Sequence, residues 1–174
     1  MNWIISRAIF LLVMASFLSL GASGAQAGER KLAFAVSGVV ESIKVKAGDK
    51  VTAGSVLAVL DQTPFKAHKR AADVAAASTK LIVDLAAVKL NQMRELFDAL
   101  STSQEEVEKA AIAHANALSS YESANSKAEI AAWRLARASL VAPFAGTVSA
   151  VPGYPGMVIN TYAGSATVVV INTP

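Results

Sequence analysis

The chain carries one glycine-framed unit twice, at the two ends of a long stretch that contains no glycine. Gly38-Val-Val-Glu-Ser-Ile-Lys-Val-Lys-Ala-Gly48 and Gly146-Thr-Val-Ser-Ala-Val-Pro-Gly-Tyr-Pro-Gly156 each set two glycines ten residues apart. The match runs on: Val51 aligns with Val158 or Ile159, and the apolar run Leu57 to Leu60 aligns with Val168 to Ile171 after a short insertion. Valine-rich runs punctuated by glycine read as short β-strands joined by tight turns. Gly38, Gly48, Gly146 and Gly156 are expected to be structural turns, where positive φ favours glycine. Ile43, Val45 and Ala47 alternate as a half-buried strand requires, whereas Val39 and Glu41 break the alternation. Half of a β-domain cannot cover its own apolar face. The two repeats, Phe34 to Asp61 and Leu140 to Ile171, are therefore expected to pack on each other as one small sandwich.

Between Pro64 and Leu140 glycine is absent and alanine dominates, and alanine loses least on entering a helix. Asp61, Gln62 and Thr63 lead into Pro64, which suits a first helical turn. Val74, Leu81, Leu85, Val88, Met93, Leu96 and Leu100 then recur at helical spacing and read as the apolar stripe of a first helix. Ser101, Thr102 and Ser103 interrupt it, and Ser103 with Glu106 forms a capping box that opens a second helix. There Val107, Ala111, His114, Leu118, Tyr121, Asn125, Ala128, Ala132, Leu135 and Ser139 step by fours and threes as a coiled-coil seam. Two helices of near-equal length, about 54 Å at 1.5 Å per residue, joined by a tight turn, predict a long antiparallel α-helical hairpin. No third helix covers its apolar surface, so support from neighbouring copies, a homo-oligomer, is expected. The predicted class is α+β, a β-sandwich split in sequence by that hairpin.

The amino terminus reads as an address. Arg7, the apolar run Ala8 to Leu20 and Ala25-Gln26-Ala27 have the order of a cleavable signal peptide, with Gly28 as the first mature residue. Thirteen apolar residues are short of the roughly 20 that span a bilayer, and an uncleaved anchor in the inner membrane is the alternative. The expected location is the periplasm. The chain divides into 1–27 (signal peptide), 28–63 (first β half), 64–139 (hairpin) and 140–174 (second β half). The sequence has no cysteine, which excludes a lipoprotein anchor, zinc-thiolate sites and redox chemistry. A formal charge of +3, with sixteen scattered basic residues and no interleaved aromatics, argues against nucleic acid.

No catalytic constellation emerges, and no enzyme, metal or cofactor is expected. His68 and His114, the two histidines, fall on different helices without clustered carboxylates, so a metal site lacks ligands. His68 reads as solvated near the hairpin base and His114 as an interface residue on the seam. Trp133 and Tyr121 read as packing or copy-to-copy contacts. Four dispersed methionines, two of them in the leader, speak against a metal relay.

Ser37-Gly38-Val-Val, then Val45-Lys-Ala-Gly48-Asp49-Lys-Val51, Gly54-Ser-Val-Leu57-Ala-Val-Leu60-Asp61 and later Leu140-Val-Ala142-Pro143-Phe144-Ala-Gly146-Thr-Val148 resemble the periplasmic adaptor or membrane fusion protein family, HlyD-like and of the RND efflux-pump type. The resemblance spans about Phe34 to Pro174. It implies a lipoyl/biotinyl-like β-sandwich with an inserted hairpin, bridging an inner-membrane transporter and an outer-membrane channel. Against the family pattern the chain reads as a short form, without the usual β-barrel and membrane-proximal domains, and weak pump binding is the expectation. Two further readings stand beside it: a truncated adaptor or envelope coiled-coil scaffold without transport function, and a lipoyl or biotin carrier domain with its lysine on a β-turn. Lys66 lies in the first turn of the predicted helix, which disfavours the carrier.

The resemblance also implies that the hairpin tip meets the channel through arginine, leucine four residues on and serine seven beyond that. Leu96 and Ser103 have the leucine-to-serine spacing. Gln92 stands at the arginine position, and Arg94, half a helical turn away, compensates only if the tip is locally rotated. Arg94, Leu96 and Ser103 are the candidate channel contacts, against the plainer roles of hairpin core for Leu96 and helix cap for Ser103.

Overall fold

A computed structural model describes residues 28–164 and 166–173; the signal-peptide reading at 1–27 lies outside them. The order is β1 (Glu29–Leu32), β2 (Gly38–Ile43), β3 (Lys50–Val51), β4 (Val56–Leu60), α1 (Thr63–Asp98), α2 (Gln104–Arg137), β5 (Ser139–Val141), β6 (Gly146–Ala150), β7 (Val158–Ile159) and β8 (Val169–Asn172). The fold is α+β, with two helices between two sets of four strands.

The strands do not sort by half. One sheet runs β1-β8-β6-β3 and the other β5-β4-β2-β7, so each takes two strands from either side of the helices. Shifting every label by four turns the first sheet into the second, which makes the β-domain a pseudo-twofold interchange of two four-stranded units. The hydrogen bonds obey the same operator. Val40 N donates to Met157 O (2.9 Å) and Gly156 N to Val40 O (2.8 Å), while Val148 N donates to Asp49 O (2.9 Å) and Gly48 N to Val148 O (2.8 Å). Even the irregularities correspond: β2 slips register against β4 between Val40 and Ser42, and β6 against β8 between Val148 and Ala150. A bulge at Glu41 is the physical reason for the broken alternation at Val39 and Glu41.

Both sheets face one core, in which Val40, Leu57, Leu60, Val148, Val168, Val169 and Ile171 are completely or almost completely buried. The repeats thus fold as one unit, but as interleaved strands rather than as one sheet per repeat.

The four framing glycines divide into two kinds. Gly48 (φ +94°) and Gly156 (φ +86°) take the left-handed conformation. Gly38 and Gly146 do not; they open β2 and β6, and their constraint is room. A Cβ on Gly146 would meet the carbonyl oxygen of Asn172 and, at 2.7 Å, Cγ2 of Ile171, whereas one on Gly38 would meet the mobile end of Leu60 at 3.1 Å. Turn geometry is therefore corrected to close strand packing for these two.

α1 and α2 pack against each other. The phase of the pair is set at the base, where Leu60 N donates to Ala138 O (2.8 Å) and Gln62 Nε2 to Ser139 Oγ (3.1 Å). On α1 this places Val83 and Leu90 in the seam, with Phe65, Ala72, Ala76, Thr79, Ala86 and Met93 half-buried at steps of four and three. On α2 the buried residues are Ala110, Ala117 and Ala131. The expected stripe of α1 is corrected: Val74, Leu81, Leu85 and Val88 lie on the outer face, Leu81 65% and Leu85 70% exposed. Leu118 is exposed as well. Small residues allow close backbone approach, so alanine and threonine line much of the contact beside Val83 and Leu90, while Val74, Leu81, Leu85 and Val88 remain outside. Ion pairs Lys69–Asp73, Lys80–Asp84 and Lys109–Glu105 lie on the surface, where water and salt screen them and they contribute little to stability.

Candidate functional site

Two places on the molecule could engage a partner, and they lie at opposite ends of the helices, about 54 Å apart by helix rise.

At the far end, α1 stays helical through Asp98. Leu100 N then donates to Phe97 O and Ser101 N to Leu96 O, both at 2.8 Å, the pair of bonds that defines a Schellman closure. Leu100 occupies the left-handed position of this closure, φ +55°, and is 93% exposed. Ser103 is extended (φ −92°, ψ 157°) and its Oγ accepts from Glu106 N at 3.4 Å, capping α2. The reciprocal half of the capping box does not form, and the Glu106 carboxylate accepts from Lys109 Nζ at 3.0 Å. Glu105 and then Glu106 hold the Lys109 pKa above its ordinary value, and both carboxylates sit where the helix dipole favours negative charge.

The three predicted tip residues do not form one patch. Arg94 and Leu96 are separated by two residues of unbroken helix, roughly 200° of rotation, so the local rotation that would have let Arg94 replace Gln92 is absent. Leu96 is 41% exposed, and Ser103 follows it across the turn. Leu100 escaped sequence reasoning as a distinct feature, since it was counted in the helical stripe. Its signal was an apolar residue immediately before Ser101, at the position where helices commonly end in glycine.

At the near end, a groove of about 860 Å³ runs between the helix base and the loop that follows β7, lined by Phe65, His68, Lys127, Trp133, Arg134 and Tyr162 among others. The loop is tied to the start of β2: Ser37 Oγ lies 2.9 Å from Thr161 Oγ1 and accepts from Thr161 N at 3.0 Å. Arg137 lies over the Trp133 ring, 5.9 Å from its centroid. Sequence spacing placed His68 near the base but gave no sign that Thr161 and Tyr162 would line the same groove. Lys66 sits in the first turn of α1, its N–H bonded to Gln62 O at 2.9 Å, and so lies on a helix. Among the described residues no three His, Cys, Asp or Glu side chains cluster to hold a metal ion, and no helix is long and apolar enough to cross a membrane.

Asp61 lies on this groove and has a local duty. Gln62, the N-cap of α1, offers no side-chain cap, and Asp61 Oδ1 takes its place by accepting from Thr63 N at 2.9 Å. That backbone hydrogen bond, with the Thr63 side chain second, lowers the Asp61 pKa from 3.8. A carboxylate with a depressed native pKa stabilises the fold fully above its unfolded value and loses that contribution as pH falls through the native one. Asp61→Ala should therefore melt below wild type at pH 6, with the gap closing below pH 3.8, as read from melting temperatures across pH.

Comparison with known proteins agrees with this architecture. A search of curated protein sequences finds no match. Among solved structures, the membrane fusion protein Spr0693 from Streptococcus pneumoniae R6 superposes with a TM-score of 0.62 at 23% identity, over 84% of this chain and 59% of that one. A MacA-MexA chimeric protein containing the Pseudomonas aeruginosa MexA alpha-hairpin domain gives 0.61 at 22% identity, over 83% and 46%. ZneB from Cupriavidus metallidurans gives 0.55 at 20%, over 84% and 44%. The chain thus spans about half the length of these proteins, and at such identities they attest the fold alone. The family model described as RND MFP, barrel-sandwich hybrid domain, matches residues 31–172, and on that match the chain belongs to the RND membrane fusion protein family.

Proposed function

We propose that this chain is an adaptor subunit of a tripartite efflux or secretion transporter, acting in the periplasm between an inner-membrane pump and an outer-membrane channel. The observation that carries the reading is the helical pair: an antiparallel arm that leaves the β-domain at one end and presents exposed apolar side chains at the other. Such an arm suits spanning a distance. The tip, with Leu96 in the last turn of α1, Ser103 at the cap of α2 and Arg94 on the opposite flank of α1, is the part assigned to the channel.

Several copies side by side would cover what one copy leaves open. Val74, Leu81, Leu85 and Val88 repeat at seven, four and three residues along the outer face of α1, the spacing of a second coiled-coil seam. The small residues Ala115, Ser119 and Ser126 occupy the outer face of α2, where such a ridge from a neighbouring copy would fit. The base groove lies at the level where the β-domains of adjacent copies would meet.

The test is complementation of an adaptor-deleted strain, with efflux and channel co-purification scored together. Leu96→Asp and Ser103→Arg should each reduce channel recovery by at least about tenfold, the effect of a charge placed in an interface hot spot, while leaving the β-domain folded by circular dichroism. Unchanged recovery in both variants removes the tip assignment.

A further inference from the structure

We propose that Leu100 is the anchor of the tip: the side chain that inserts into an apolar pocket with a basic rim on the channel partner. The inference rests on the adaptor reading above and names the residue that carries its contact.

Leu100 is unfavourable for the isolated chain in two independent ways. At φ +55° its Cβ crowds the following carbonyl, a conformation costly for any residue except glycine. Its apolar side chain is also 93% exposed. Neither feature serves the closure of α1, because the bonds Leu100 N to Phe97 O and Ser101 N to Leu96 O are made by backbone and would form equally with glycine. The chain uses glycine at every other described position with this geometry, namely Gly48, Gly54, Gly156 and Gly164. Backbone strain that the fold does not need marks a functional position.

The surroundings define the partner. Leu96 and Phe97, the residues whose carbonyls accept the closing bonds, are themselves 41% and 38% exposed, so Leu100 projects beside further apolar surface. Within nine residues of it along the chain, on the helix ends that the turn joins, Glu95, Asp98, Glu105, Glu106 and Glu108 are all exposed, against Arg94 and Lys109, and Lys109 is already engaged by Glu105 and Glu106. The tip thus joins an exposed apolar side chain to helix ends on which exposed carboxylates outnumber cations. Its complement is an apolar pocket edged by lysine or arginine, since like charges facing across an interface are penalised. A second copy meeting tip to tip would set two such carboxylate-rich ends against each other, so the occupant is a different protein.

The experiment compares wild type, Leu100→Gly and Leu96→Asp in the full chain. It reads melting temperature, sedimentation, and surface plasmon resonance against the purified outer-membrane channel of the strain whose efflux wild type restores. Leu100→Gly relieves the strain and should raise the melting temperature by about 2–4 °C, while weakening channel binding at least about tenfold and leaving self-association unchanged. A gain in stability with unchanged affinity, while Leu96→Asp still weakens binding, overturns the anchor and keeps the tip reading. Unchanged affinity in both variants overturns the tip reading itself. A lower melting temperature means that Leu100 packs within the fold, and a loss of self-association means that its occupant is a second copy; either result overturns the proposal.

Discussion

Truncating Leu60 to alanine is expected to destabilise the chain by about 2–5 kcal/mol, the range for a leucine removed from a core that cannot collapse around the gap. Leu60 is fully buried and stands at the junction of every layer. It ends β4, pairs in register with Val40 of β2, donates its N–H to Ala138 O at the foot of α2, and fills the space beside Gly38. Its counterpart under the pseudo-twofold is Ile171, also fully buried, which pairs with Val148. Ile171→Ala should cost a similar amount. Leu85→Ala on the outer face of α1 should stay within about 0.5 kcal/mol, as surface changes do. Urea unfolding followed by circular dichroism separates these cases, and a Leu60→Ala loss below about 1 kcal/mol would contradict the assigned core.

The second large effect is expected at Gly146. Alanine there would drive its Cβ into the Asn172 carbonyl oxygen and against Ile171 Cγ2, and a backbone oxygen inside a paired strand has nowhere to go. β6 is held on both sides, by β8 through the Val148–Ile171 pair and by β3 through Val51 opposite Gly146. Relief therefore requires one ladder to open, and a loss of about 3 kcal/mol or more follows, at or beyond the upper end of overpacking costs. Gly38→Ala is the internal control. It occupies the equivalent strand start, but its nearest obstacle is the flexible end of Leu60, 3.1 Å away, and it should cost about 1 kcal/mol, the low end of the same range. Equal losses at the two sites, measured by urea unfolding, would show that strand-start glycines serve backbone freedom and not fit.

The alternation of glycine-framed and glycine-free texture was enough to read an α+β chain and its family, because both depend on composition and local spacing. Pro64 and Ser103 marked helix starts for reasons confined to a few residues: a fixed φ in one case and a hydroxyl bonded to Glu106 N in the other. The seam of α1 was misread, since fours and threes occur on two faces of that helix and the larger residues drew the eye to the outer one. What selects the inner face is a contact distant in sequence, Leu60 with Ala138, and the closeness that alanine permits. The interchange of strands between sheets was likewise hidden. A period of two tells which side of a strand is buried, not which strand lies beside it. At the tip, leucine-to-serine spacing and the half-turn offset of Arg94 were visible, but the unbroken helix through Asp98 and the left-handed Leu100 required the actual path of the turn.

The interleaved sheets also impose an order of events on the chain as it forms. β3 needs β6, β7 needs β2, and β1 needs β8, so neither terminal unit can finish a sheet while the other is still being synthesised. These pairings are long-range contacts, and their loop-closure entropy would make them slow if the connecting chain were free. It is not free once the helices form. Helices assemble from neighbours in sequence within microseconds, and a folded arm replaces a long flexible loop by two ends held side by side at Leu60 and Ala138. The β-domain can thus stay open until the last strand arrives and then close quickly on an arm that has already measured the distance.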